Sequence, residues 1–442
     1  MSEWLLAQTH RDDSVGMLAR LWVQGGTKNK EIDPWLTELT AGIVLAYAVA
    51  DLTRDYAQAI HELRETGKTA SHPRWMRNPK MRAIMDASWE RHAARPEVPA
   101  QTYLHLLHLQ QAMDLAARAK IYIDTCHWVR MREIVMGESR ALPVYADILA
   151  RLRALRAERR IVCPLSGPLL IEVARQSSDS TRLATARLVD ELSGGACIQS
   201  PPQIQATELK QQLLRSTLGE GAPSAMHWIW TRPGWALGIA LPEATAFDES
   251  DQRTITKVHI DQVWNMSFED VMEAISEPPS VLEVEAAAHQ KDWEFYRTGS
   301  WKFPQVRERE VAFAARTLMQ RSLTRIAQEV WEQFPEQSAQ YAARKDGKNT
   351  GPNPQCLASV QILGAVNASF ATTAKMKIKP SDLADAQHAA VALPYCNVLF
   401  IEGPMQHRLT KPPLRLDQTY NVRVISDSQE FLAYLDGIAK AA

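Results

Sequence analysis

Through residue 118 the apolar positions recur at helical spacing. Trp4, Leu5, Val15, Leu18, Ala19 and Trp22 form one such series, and Leu36, Leu39, Ile43 and Tyr47 another. Asp12-Asp13-Ser14 is placed to cap the helix that holds Met17 and Leu18, and Gly25-Gly26 to end it. Pro73 and Pro79, then Pro96 and Pro99, break the pattern before a helix predicted over 102–118. The period then changes. Ile121-Tyr122-Ile123 predicts a short buried strand, followed by a helix over 144–155 and a second strand at 160–164. A helix carrying Leu169, Leu170, Glu172 and Val173 comes next, then another over 181–192. Strands alternating with helices predict a parallel sheet with crossover helices.

That alternation stops between Pro201 and Gly351. The segment is helical in pattern, rich in Trp, Glu and Arg, and punctuated by Pro233-Gly234, Pro278-Pro279 and Pro304. Helices over 356–370 and 382–393, strands at 397–401 and 422–425 and a last helix over 428–438 restore it. The chain of 442 residues is long enough for two or three domains. The reading divides it into an N-terminal helical domain (1–70), a helical linker (71–118), the first part of an α/β domain (119–200), a helical insertion (201–354) and the second part of the α/β domain (355–442).

The formal net charge is −1, so a nucleic-acid partner would have to meet local basic patches rather than a global field. Five scattered cysteines, with no Cys-x-x-Cys pair, argue against a disulfide framework or a structural zinc site and fit a reducing cytoplasm. Met1-Ser2-Glu3-Trp4 does not read as a secretory signal, and the apolar run from Ala41 to Ala50 is too short to span a bilayer. A soluble cytoplasmic protein without membrane contact is the expectation.

Candidate chemistry lies in four acids. Asp124 ends a predicted parallel strand, where open α/β sheets place their ligand crevice. Glu172, Asp385 and Glu402 come from three further elements. Singly, each has an ordinary reading: Asp124 as a cap or turn residue, Glu172 as a solvated helix residue, Asp385 as a helix N-terminal residue like Asp382. Jointly, four carboxylates from separate elements suggest an oxygen cage for a hard cation, a common means of cutting phosphodiesters.

Three segments carry a resemblance: Tyr122-Ile123-Asp124-Thr125; Pro164-Leu165-Ser166 through Leu170-Ile171-Glu172; and Asp385-Ala386-Gln387-His388-Ala389-Ala390 leading into Pro394-Tyr395-Cys396-Asn397-Val398-Leu399-Phe400-Ile401-Glu402. In order and spacing the chain resembles PIN-domain nucleases over about 119–200 and 355–440. The resemblance implies an α/β fold, a PIN-like parallel sheet sandwiched by helices, with one or two Mg²⁺ or Mn²⁺ ions on Asp124, Glu172 and Asp385. Glu402 takes a place usually held by Asp. Thr125 would orient the first carboxylate or a metal-bound water, with Asp382, Asn397 and His388 in an outer shell; His388 also reads as a histidine packed against the sheet. Cys126, where Asn is common, and Asn397, where another Asp is common, depart from the pattern. The implied activity is that of a metal-dependent endoribonuclease, in a toxin or phage-defence role. The rivals are a catalytically impaired RNA- or protein-binding module and a structure-specific DNA nuclease.

Lys375, Lys377 and Lys379 precede the third acid and are candidate contacts for an RNA backbone. Arg74, Arg77, Lys80 and Arg82 interleave with Trp75, and Arg151, Arg153, Arg156, Arg159 and Arg160 crowd one helix end. RNA is preferred to duplex DNA because no groove-reading motif is visible. Trp4-Leu5-Leu6-Ala7-Gln8 and Arg11 to Arg20 resemble the YozE family of small sterile-alpha-motif-like helical domains over the first sixty or so residues. That implies a compact bundle and a surface for a protein partner.

Overall fold

The computed structural model describes residues 79–236, 248–275, 281–343, 353–373 and 376–440. The sterile-alpha-motif-like region 1–70, Arg74, Trp75, Arg77 and Lys375 lie outside them. Helices α1 (Pro79–Ala93) and α2 (Ala100–Ala116) lead into β1 (Ala119–Ile123), and α3 (Thr125–Val135) and α4 (Pro143–Ala157) carry the chain to β2 (Ile161–Val162). Next come β3 (Leu165–Ser166), α5 (Gly167–Ala174), α6 (Asp179–Ser193) and β4 (Cys197–Ile198). The insertion contributes α7 (Pro201–Leu218), β5 (Trp230–Thr231), α8 (Glu249–Trp264), α9 (Phe268–Ala274), α10 (Val281–Thr298), α11 (Phe303–Gln333) and α12 (Pro335–Ala343). The chain closes with α13 (Ala358–Ala371), α14 (Pro380–Ala392), β6 (Val398–Phe400), α15 (Gly403–Thr410), α16 (Leu416–Tyr420), β7 (Arg423–Ile425) and α17 (Ser428–Lys440).

The described chain is mostly helical around a small parallel sheet of order β2-β1-β6-β7, an arrangement compatible with the α/β class. Its strands are apolar except for Lys120 and Arg423 near their starts, because both faces are covered further along. Ile121, Ile123, Val398, Phe400 and Ile425 join one core with Trp128 of α3, Leu152 of α4 and Phe431 of α17. Tyr122, Leu399 and Val424, one residue out of phase, join the other with Ile362 of α13, Ala389 of α14 and Leu409 of α15. A single alternation in β1 thus sends aliphatic residues to one side and the Tyr122 phenol to the other.

A second sheet was not expected from the sequence. β4 pairs in parallel with β3 and antiparallel with β5, so the inserted segment is hydrogen-bonded to the α/β part. Asp261 of α8 accepts from Ser88 Oγ at 2.6 Å, His92 Nε2 at 3.0 Å and Tyr103 OH at 2.5 Å, and this buried carboxylate ties α1 and α2 to the insertion. Among the described residues no helix is long and apolar enough to cross a membrane.

Helix α11 lies across the outer face of α13, with Leu318 and Val330 in one core with Val360. The approach is close at Gly364, where an added Cβ would stand 2.8 Å from Val311 N and 3.0 Å from Val311 Cα. Backbone cannot yield as a side-chain tip can, so Gly364→Ala must push the two helices apart. Denaturant unfolding is expected to show a loss of about 1–3 kcal/mol for this variant; unchanged stability would mean that the contact is looser than described.

Candidate metal centre

The acidic cluster is built from β1 outward. Asp124 follows the last strand residue and is the N-cap of α3, its Oδ1 accepting from Thr125 N at 2.7 Å. An extended backbone at Asp124, needed to leave the strand, is also what an N-cap requires. Cys126 Sγ lies 3.5 Å from Asp124 Oδ2 as a donor. Burial and the Asp124 charge push the Cys126 thiol far up, so it acts here as a neutral donor.

Glu172 is delivered by α5, whose start is fixed from both sides. Ser166 Oγ accepts from Leu169 N at 3.3 Å, and a Cβ on Gly167 would come within 3.1 Å of Ser200 Cα and Cβ. From this helix Glu172 Oε2 accepts from Thr125 Oγ1 and stands 2.9 Å from His388 Nε2. The other ring nitrogen, Nδ1, is 2.5 Å from Tyr122 OH, which lies 2.6 Å from Ser166 Oγ. One chain of polar contacts therefore runs Ser166–Tyr122–His388–Glu172–Thr125 across the carboxyl end of β1. Burial pushes Tyr122 well above its ordinary range, so the phenol remains protonated.

Asp124, Glu172 and His388 offer ligand atoms that all lie within 4.8 Å of one another. His388 Nε2 is 3.9 Å from Asp124 Oδ1. Asp385, on the second turn of α14, lines a cavity of about 10 Å³ with Asp124 and His388. That is near the volume one water-sized sphere needs. Glu402 is exposed, at the N-cap of α15 just beyond β6, and sits outside the tight trio; its charge still bears on Asp124 and Asp385.

Crowding shows in the protonation of these groups. Burial raises Asp124, with the Glu172 charge adding to it and His388 opposing it. Burial would also raise Glu172, but the charge and hydrogen bond of His388, helped by Thr125, bring it below its ordinary value. Asp385 is pushed up to about 7 by burial and by the Asp124 charge. Burial works against the His388 charge, yet Glu172 and Asp124 raise it to about 9. Protons held on a histidine and a carboxyl thus offset part of the cluster's charge.

Several expected residues fall elsewhere. Asn397 is not an outer-shell group: its Oδ1 accepts from Lys120 N at 2.8 Å, at the opposite end of the strands from Asp124. Its position before β6, one strand length away, rules it out. Asp382, in the first turn of α14, accepts from Lys379 N at 2.7 Å and serves as a cap. Asp385 sits too far along that helix for such a role. Thr125 does orient carboxylates, but its amide holds Asp124 and its hydroxyl holds Glu172. Lys377 and Lys379 are exposed beside the start of α14. In the arginine run, Arg151 pairs with Asp436 at 2.6 Å, Arg153 with Glu191 at 2.5 Å, and Arg160 binds Ala439 O at 2.9 Å. These partners give the run a structural task. The sequence reading missed Tyr122 and Ser166; a tyrosine in an otherwise aliphatic buried strand was the available signal, since its hydroxyl must find a partner.

Comparison with protein-family models, with characterised proteins and with solved structures finds no match to this chain. The site must therefore be argued from its own geometry.

The proton on Asp385 sets the sign of one pH effect. A carboxyl held at about 7 in the fold, against an ordinary 3.8, binds its proton more tightly folded than unfolded. The stability this contributes is full below about pH 4 and drains away as the pH rises to about 7. In a chelating buffer, Asp385→Asn is expected to melt above wild type at about pH 8, by a few kcal/mol, with the two curves converging in acid. A lower melting point for the variant at the alkaline end would show that the acids do not repel one another.

Proposed function

We propose that this chain is a metal-dependent endoribonuclease that hydrolyses RNA phosphodiesters at the Asp124, Glu172 and Asp385 site, with Glu402 at its rim. The observation that supports this most is the tight grouping of Asp124, Glu172 and His388 at the carboxyl end of a parallel sheet, with Asp385 sharing a small cavity with two of them. It agrees with the PIN-like resemblance in the sequence. The donor set suits Mg²⁺ or Mn²⁺: hard carboxylate oxygens around a cavity of single-ion size.

In such a site the cation would neutralise charge building on the phosphate and acidify a water. Asp124 and Glu172 would hold it, and Thr125 with Cys126 keeps their oxygens aimed. Asp385, with a carboxyl at about 7, is suited to take a proton near neutrality. His388 holds a proton at Nε2 against Glu172 and is steadied at Nδ1 by Tyr122.

One observation favours a second reading. His388 stands between Glu172 and Asp124 as an internal cation, which is what an RNA- or protein-binding module that had lost its metal would retain. The two readings separate on addition of Mn²⁺. A working cage gains stability from the metal by linkage, and Asp124→Asn loses that gain.

The decisive assay compares wild type with Asp124→Asn on single-stranded RNA, flap DNA and duplex DNA in Mn²⁺. RNA cleavage at least a hundredfold faster for the wild type is expected, on the scale of losing a group that holds the reacting charge. Equal cutting by both proteins would remove the site from the reaction, and equal cutting of flap DNA would change the substrate. A toxin role requires that toxicity on expression disappear with the same substitution.

A further inference from the structure

Helix α15 has two functional faces. Met405 and Leu409 line the small cavity that holds Asp124, Asp385 and His388. Pro404, His407 and Arg408, with Lys411 just after the helix, line a separate cleft of about 320 Å³. Its other wall is the end of α13, at Ser369, Thr372 and Thr373, and its floor is Pro412, Pro413 and Leu414. No acid lines this cleft among the described residues.

Arg408 is half-buried here and held in place without a counter-charge. Its Nη1 donates to Ser369 Oγ at 3.0 Å and points at Thr373 Oγ1 at 3.4 Å, while its Cζ lies 4.3 Å from the centre of the Phe370 ring. Those hydroxyls donate to carbonyls of their own helix, Ser369 to Val366 O and Thr373 to Ser369 O, so they meet the guanidinium with lone pairs. Among the described residues no carboxylate pairs with Arg408; Asp382 and Asp385 act on it only from a distance. Cations in the last turn of a helix are ordinary, since they complement its dipole. The dipole does not account for a guanidinium desolvated against a ring, braced by hydroxyls and open on a roomy cleft beside a second cation. Arginine in that state suits an oxyanion.

We infer that the cleft between α13 and α15 is a phosphate subsite, in which Arg408, Lys411 and His407 hold a backbone phosphate of single-stranded RNA next to the one being cut. The inference rests on the proposed nuclease reading for the identity of its strand. A helix is about 10 Å across, so the acid cavity on one side of α15 and the cleft on the other are within a few nucleotides of each other. A strand crossing the helix N-terminal rim at Glu402 and Gly403 would meet both.

The test is RNA binding in a chelating buffer, where cleavage plays no part. Affinity for a single-stranded RNA oligonucleotide is measured from about 50 to 200 mM salt, where each lost phosphate contact lowers the log–log slope by about 0.7. Arg408→Gln with Lys411→Gln is expected to lower the slope by about 0.7, the worth of one phosphate, with affinity falling on the order of tenfold, and Lys411→Gln alone by part of that. Arg408→Lys keeps the charge and should keep the slope. Lys411 is exposed, so its variant reports even if Arg408→Gln fails to fold. A double variant with wild-type slope and affinity overturns the subsite. Inorganic phosphate alone is the second arm: loss of phosphate binding in the variants with RNA binding untouched would make this a site for a free anion and overturn the strand assignment. A wild type that binds RNA through these residues but never cleaves it leaves the subsite standing and removes the nuclease reading.

Discussion

Carboxylates gathered in a buried place repel one another, and everything around β1 is arranged to contain that repulsion. Asp124 can sit at the strand end because α3 offers it an amide, and Glu172 can face it because His388 stands between them with a proton. Removing one partner from such a set leaves an uncompensated buried charge, which costs far more than an exposed ion pair is worth. The contact chain from Ser166 to Thr125 fixes where that compensation acts. A divalent cation would do the same work with more charge in less space.

The sheet makes this geometry available. Four parallel strands release their chains at one end, and the side chains that follow them share that rim. Burial on both faces makes the second half of β1 apolar, and there Tyr122 brings a hydrogen-bonding group to the α13–α14 side. Its hydroxyl links the cap of α5 to the histidine of α14, so two helices from distant parts of the chain are registered on one atom. The insertion bears on the same layer from outside, through α11 against α13, and β5 joins it to β4. The end of α13 in turn braces Arg408. Packing of the inserted helices is thus continuous with the wall of the cationic cleft.

Much of the α/β part was legible in the residues. The apolar run at 121–123 and the alternation of strand and helix after it gave the parallel sheet, and the strands at 397–401 and 422–425 fell where β6 and β7 lie. Asp124 and Glu172 lie in one tight group, but its third member is His388, which the sequence reading put in an outer shell or against the sheet, while Asp385 lines the neighbouring cavity. Asn397 misled: a position near a motif in sequence is read as near it in space, yet it sits at the start of a strand whose far end holds the site. The second sheet escaped because the pairing of β3, β4 and β5 is set by tertiary contact alone.

What the sequence determined by itself was periodicity and inventory: which stretches alternate at strand spacing, which at helical spacing, and which side chains can carry charge. Those follow from local chemistry, because the apolar pattern must match the repeat of the element that buries it. Tertiary structure alone decided which charges meet. His388 became the partner of Glu172, Asp382 a cap, and Arg408 a guanidinium without a carboxylate only when α14, α5 and α15 packed around one strand end. Electrostatic energy depends on distance and burial, and neither is written in the order of residues.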